Sequence, residues 1–232
     1  MEEARTYFPN DFFAFFQELA ANNHKAWFDE NRKRYEKAIR DPFKALVADF
    51  LERIAAIDPD FPPLKPNKCM FRINRDIRFS KDKTPYKTHL AAYFSPRGRK
   101  AHYPGLYMQL SPEQVMIAGG VYELNKDSLT NLRQTLSERS NELHALLVEE
   151  AFRTTFNGEL HGERNKVLPK QFKEAAQKEP LLYNKQLYFT TQLPPEIITT
   201  PNLLPTLEEH YRIALPVNRW IAEAIGEGTK AD

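Results

Sequence analysis

Gly105-Leu106-Tyr107-Met108-Gln109-Leu110-Ser111-Pro112-Glu113-Gln114-Val115-Met116-Ile117-Ala118-Gly119-Gly120-Val121-Tyr122 is the stretch that decides the fold class. Two apolar-rich runs, 105–110 and 114–122, flank Ser111-Pro112-Glu113, a composition suited to a turn. Strands joined so closely must run antiparallel. Gly119-Gly120, at the end of the second run, reads as a bulge or as close backbone packing. Working outward, 69–79 and 90–95 read as further strands upstream, and 186–193 as one more downstream.

Helices surround this sheet. Asn10 or Asp11 can cap a first helix carrying Phe12, Phe13, Phe15, Phe16 and Leu19. Asn22-Asn23 interrupts it and offers a second cap, and apolar residues then recur at helical spacing. Asp41-Pro42 reads as a cap followed by proline at the first helical position, which predicts separate helices over 24–40 and 42–57. The segment 58–68 holds four prolines and is expected to be an extended connector. Asn125-Lys126-Asp127 starts a leucine-rich helix, and Leu168-Pro169 opens a short one ending before Pro180. Helical segments follow Leu203, broken by Pro205 and Pro216, with a frayed tail from Gly226. Helices at about 10–57, a sheet at about 69–122, and helices with one strand over 125–226 make a single α+β domain spanning 1–232, its sheet mostly antiparallel.

Composition narrows the class. The chain has 232 residues, 41% of them hydrophobic, with 16 Phe and 10 Tyr, enough for a large aromatic core. One cysteine, Cys69, excludes an internal disulfide, and its place beside an apolar run favours burial. The six histidines show no HExxH or other close ligand spacing, so no metal site is expected. No P-loop or dinucleotide-binding glycine pattern appears, and no cofactor is assigned. The N-terminal residues lack the apolar core of a secretory signal, and no run reaches membrane-spanning length, so a cytoplasmic location is expected. Nothing in the sequence sets the oligomeric state.

The charge is uneven. From Arg72 to Lys100, nine Lys or Arg stand against Asp76 and Asp82, a net +7, which leaves −5 over the rest of a chain of net +2. Such a local field suits an anionic ligand. If 71–80 is a strand, Phe71, Ile73, Ile77 and Phe79 share one face, interrupted by Arg75. Arg72, Asn74, Asp76, Arg78 and Ser80 share the other. The arginines could clamp a phosphate or carboxylate through paired hydrogen bonds, and Asp76 could orient them. The loop 80–87 adds Lys81, Lys83, Tyr86 and Lys87. The alternative is a structural network of cross-strand ion pairs. Arg75 distinguishes the two, because on an apolar face it needs either a protein carboxylate or a bound anion.

The run Arg72-Ile73-x-Arg75-Asp76-Ile77-Arg78-Phe79-Ser80-Lys81-Asp82-Lys83-Thr84-Pro85-Tyr86-Lys87 resembles the signature of an uncharacterised, largely bacterial family, domain of unknown function 2461. The likeness extends to Asn23-x-x-x-Trp27-Phe28, Tyr35, Gly105-Leu106-Tyr107 and Ala118-Gly119-Gly120. A looser echo runs through Leu168-Pro169-Lys170 and Leu181-Leu182-x-x-Lys185, departing at Gln171 where the family has glycine. The resemblance covers most of the chain and implies one conserved unit without an established activity.

Three functions are compatible with these residues. The first is binding of a phosphate-bearing or other anionic small molecule by Arg72, Arg75, Arg78, Lys81, Lys83, Tyr86 and Lys87. The second is an enzyme acting on a phosphate-containing substrate, with Asp76, Tyr86 or His89 as acid or base. The third is a nucleic-acid binder using Phe79, Tyr86, Tyr93 and Phe94 for stacking, which the near-neutral total charge places last.

Overall fold

The computed structural model describes residues 5–99 and 102–226. Lys100, the first four residues and the expected tail beyond Gly226 lie outside them. The fold is α+β, with a four-stranded antiparallel sheet in the order β1-β2-β3-β4: β1 Leu90–Phe94, β2 Gly105–Leu110, β3 Val115–Val121 and β4 Leu187–Leu193. The chain packs as two compact units, each assembled from discontinuous segments. One holds the residues up to Phe94 with Tyr107–Ile117 and Gln192–Glu209. The other holds Ser95–Leu106, Ala118–Thr191 and the chain from His210.

In the first unit, α1 (Asp11–Ala21) and α4 (Asp41–Ile57) bury Phe12, Phe15, Phe16, Phe43, Leu46 and Phe50. The spacing of Phe43, Leu46, Val47, Phe50, Leu51 and Ile54 keeps one stripe of α4 apolar along its length. Phe50 meets Phe94 of β1 edge-on, with ring centroids 4.7 Å apart. Asn10 does not cap α1 through its side chain. Asp11, in its first turn, instead receives the guanidinium of Arg34, which also bonds Glu18 and lies over the Phe15 ring. The expected helix over 24–40 is three pieces: α2 (Lys25–Glu30), α3 (Arg32–Tyr35) and a π-helical turn over Glu36–Arg40. No gap precedes Pro42, because the π turn runs directly into α4. Proline lacks an N–H, and its ring crowds the carbonyl four residues back, so widening the preceding turn lets the helix continue.

The expected strand over 69–79 is absent. Pro66 opens one helical turn, α5 (Pro66–Cys69), which buries Cys69. After it the chain is extended but paired only intermittently, through bridges Met70↔Ala92 and Asn74↔Tyr86. Two causes are local. Pro85 has no amide to return the bond it accepts from the Arg75 N–H, and the chain turns at Ile77–Ser80, where the Ser80 N–H reaches the Ile77 carbonyl at 3.3 Å.

In the second unit, Ser128 N–H donates to the Asn125 side chain at 2.8 Å and starts α6 (Lys126–Val148). Helix α7 (Glu150–Phe156) sets Phe152 and Phe156 against Phe189 of β4, at 4.9 and 4.7 Å. Gly119 leaves room for that ring: a Cβ there would lie 2.2 Å from Phe189. Gly120, at φ +90°, donates its N–H to Asn218 at 2.7 Å. Close packing is thus the role of the Gly119-Gly120 pair. The expected short helix after Leu168-Pro169 is a series of 3₁₀ turns. Pro205 and Pro216 do not interrupt α8 (Leu203–Ala224): Pro205 falls in its first turn, where an N–H has no helical acceptor, and Pro216 lies inside it.

Candidate functional site

The basic stretch forms an irregular hairpin within the first unit. Its arms are held by three backbone bonds: Phe71 N–H to the Ala91 carbonyl at 2.9 Å, Arg75 N–H to Pro85 at 2.9 Å, and Lys87 N–H to Ile73 at 2.8 Å. Residues 76–84 form the tip. The hairpin is anchored by Asn23, whose amide nitrogen donates to the Tyr86 carbonyl at 2.9 Å while its oxygen accepts from the Tyr86 N–H at 3.1 Å. One side chain thus supplies both bonds that a neighbouring strand would. Asn23 is therefore not the cap of α2. His24 takes that role, its Nδ1 accepting from the Trp27 N–H at 3.3 Å. Beside this anchor the Tyr86 ring, 6% exposed, stacks on Phe28 at 4.1 Å, and Phe28 continues to Tyr35 and Phe15. The faces of Tyr86 are spent on the core.

Arg75 has protein partners. Its guanidinium bonds the Asp82 carboxylate, the Thr84 hydroxyl, and the Thr84 carbonyl at 3.2 Å, with Ser80 Oγ at 3.5 Å. Asp82 in turn accepts the Thr84 N–H at 2.9 Å and the Thr84 hydroxyl at 3.0 Å. The Thr84 amide, then Arg75, hold the Asp82 carboxyl at about 2, well below the ordinary range. Arg75 is thus a brace across the base of the tip. Lys83 adds a second brace, donating to the Ile77 carbonyl at 2.9 Å.

Arg78 is committed to a different carboxylate. It binds Asp76 through Nε at 3.0 Å and Nη2 at 2.7 Å, and its own N–H reaches Asp76 at 3.3 Å. Those side-chain bonds first, then that N–H, with a smaller contribution from Arg72, also hold Asp76 at about 2. The Arg78 side chain is nevertheless 75% exposed. Arg72 and Lys81 are exposed and make no ion pair among the described residues. Lys87 is half-buried over the Phe71 ring, at 5.3 Å. Further along the basic region, Arg97 stacks on Tyr103 at 4.8 Å.

Phe79 falls outside the parity expected of a strand. Ile73 is buried and Phe71 and Ile77 are half-buried, but Phe79 is 95% exposed at the tip, with the Arg78 guanidinium 5.8 Å from its ring. The turn at Ile77–Ser80 rotates it out of register. Of the other aromatics considered for stacking, Tyr86 and Phe94 are buried and Tyr93 is half-buried. His89 lies immediately before β1, half-buried, where burial and then the nearby Lys87 charge hold its pKa below the usual value, opposed by Glu113.

The hairpin therefore gathers Arg72, Arg75, Arg78, Lys81, Lys83, Tyr86 and Lys87 on one short element without converging their charges. Chemically it offers exposed cations beside an exposed ring. Asp76 is ionised and engaged, which makes it a poor proton acceptor. Sequence reasoning missed Asn23 as the anchor and Asp82 with Thr84 as the partners of Arg75. The Asp82-x-Thr84 spacing, typical of side chains that bond their own backbone two residues on, was the available signal.

Among the described residues no three His, Cys, Asp or Glu gather to hold a metal ion, and no helix is long and apolar enough to cross a membrane. Neither the curated proteins nor the solved structures contain a match. A family model described as conserved hypothetical protein (DUF2461) matches residues 11–220, spanning both the Asn23 anchor and the hairpin it holds. The chain belongs to the DUF2461 family of conserved hypothetical proteins.

Proposed function

We propose that the 71–87 hairpin binds a phosphate-bearing or other anionic small molecule on the outside of its tip. Arg72, Arg78, Lys81 and Lys83 supply the charge, in place of a convergent clamp of three arginines. The observation that carries this reading is a division of labour. Arg75 braces the tip from within, while Arg72, Arg78 and Lys81 stay exposed and the Arg78 guanidinium lies 5.8 Å from a phenylalanine ring that is 95% exposed. Exposed cations beside an aromatic face complement a ligand with both an anionic group and a flat or apolar part. The Arg78–Asp76 pair is open to water, so its geometry contributes little to stability and Arg78 can exchange the carboxylate for a phosphate at small cost. Asp76, Tyr86 and His89 add no support for a reaction. One carboxylate is held ionised, one ring is buried, and the imidazole is tied to neither arginine pair.

Calorimetric titration with ATP tests the reading. Arg78→Ala/Lys81→Ala/Lys83→Ala is expected to bind about tenfold or more weakly than the wild type, and added salt to weaken the wild type in the same direction. Equal affinity of the two proteins, or no heat with either, overturns it.

A further inference from the structure

A groove lies within the second unit. Residues 161–165 run along the outer edge of β4 and its preceding turn. His161 and Tyr188 exchange both backbone bonds, at 2.7 and 3.1 Å, Lys185 N–H donates to Glu163 at 2.8 Å, and Asn165 N–H to Tyr183 at 2.7 Å. Between this segment and the turn at 180–184 lies an open groove of about 370 Å³. Leu160, Pro180 and Leu181 line it with apolar surface, and His161, Arg164 and Asn184 bring polar groups to it.

Asn184 is the telling residue. It is 6% exposed, yet its side-chain amide makes no hydrogen bond among the described residues. The amide atoms are open to water at the groove rather than sealed, and a ligand oxygen can take that water's place. It lines the groove beside Gly162, where a Cβ would stand 3.1 Å from its nitrogen and 2.2 Å from the Gln186 carbonyl. Glycine there both permits the close pairing and leaves the amide uncovered. The charge is also unmatched. Arg164 makes no ion pair among the described residues. Among those residues its guanidinium donates to the Pro180 carbonyl, at 3.3 Å, and is steadied over the Tyr183 ring at 5.4 Å. The adjacent Glu163 is taken by Lys185, at 3.3 Å.

We propose that this groove binds a small monocarboxylate with an apolar body. The carboxylate pairs with Arg164 and accepts from the Asn184 amide, and the apolar part covers Leu160, Pro180 and Leu181. One guanidinium and one neutral amide match a single planar carboxylate, whereas a doubly charged phosphate asks for more positive charge than the groove holds.

Amide-resolved NMR titration with 3-phenylpropionate, hexanoate, 3-phenylpropanamide and inorganic phosphate tests this. Saturable shifts at Gly162, Arg164 and Asn184 are expected with the two carboxylates. The neutral amide and Arg164→Gln are each expected to weaken binding about tenfold or more. Arg164 is exposed, so its variant keeps the fold; Asn184→Ala, checked for folding by its own spectrum, is expected to weaken binding likewise. No saturable shift with either carboxylate, equal binding of the amide, phosphate preferred over carboxylate, or unchanged binding by Arg164→Gln each overturns the proposal. The hairpin variants leave these shifts untouched, so the two sites fail or stand separately.

Discussion

Asn23 shows how one polar side chain can substitute for a strand. Its two bonds to the Tyr86 backbone and the Tyr86–Phe28 stack fix where the hairpin leaves the core. Asn23→Ala is expected to destabilise the protein by about 1–3 kcal/mol, two hydrogen bonds at the usual net value. Denaturant unfolding reads this as a lower midpoint at unchanged slope. Phe79→Ser, by contrast, is expected to stay within about 0.5 kcal/mol of the wild type, because that ring contributes almost no burial. A large loss from Phe79→Ser would place the ring in the core and remove it from the proposed site. At this scale the sequence was only half legible. Arg75 stood out as needing a partner, but Asn22-Asn23 reads equally as a helix cap, and only the tertiary fold brings Asn23 to Tyr86, 63 positions away.

At the scale of the element, the tip is organised by charged groups inside a segment that forms no regular strand. Asp76 and Asp82 are both held at about 2, and Asp82, bonded to the Thr84 amide and to Arg75, favours the ordered tip above the ordinary carboxyl range near ~4. A depressed carboxyl pKa gives a contribution that is present above the unfolded value and lost as pH falls toward about 2. Amide hydrogen exchange at Thr84 is therefore expected to remain protected at pH ~4 and to open on further acidification. Titration of Asp82 at an ordinary pKa, with early loss of that protection, would show that the brace does not form. Regular strands were readable because each buried face follows the pleat. Met108 and Leu110 of β2, and Val115 and Ile117 of β3, alternate with half-buried residues. The 69–79 run carries the same alternation, yet Pro85 and the Ile77–Ser80 turn break its pairing. Periodicity records side-chain chemistry and says nothing of whether a partner strand can return its hydrogen bonds. The prolines misled in the other direction, since the π turn before Pro42 and the position of Pro205 let helices continue.

At the scale of the molecule, the α+β class followed from the 105–122 hairpin and the helical periods on either side of it, and the family match over residues 11–220 covers all four strands. The division into two compact units was not legible, because the segments of each unit are far apart in sequence and no linker marks their boundaries. Global stability carries one further consequence. Burial lowers the His89 pKa in the folded state, so the unfolded chain binds a proton more readily, and stability is expected to fall as pH drops from 7 through the unfolded value near ~6.5. His89→Asn should flatten that dependence, and an unchanged profile would assign it to other groups. We propose that the braced tip presents its cations and Phe79 to an anionic ligand. Mapping backbone amide shifts of the wild-type protein during ATP titration tests it most directly. Saturable shifts confined to the 76–84 tip and its flanking Arg72, shrinking as salt is added, are the predicted result; shifts that bypass the tip, or none at all, would contradict it.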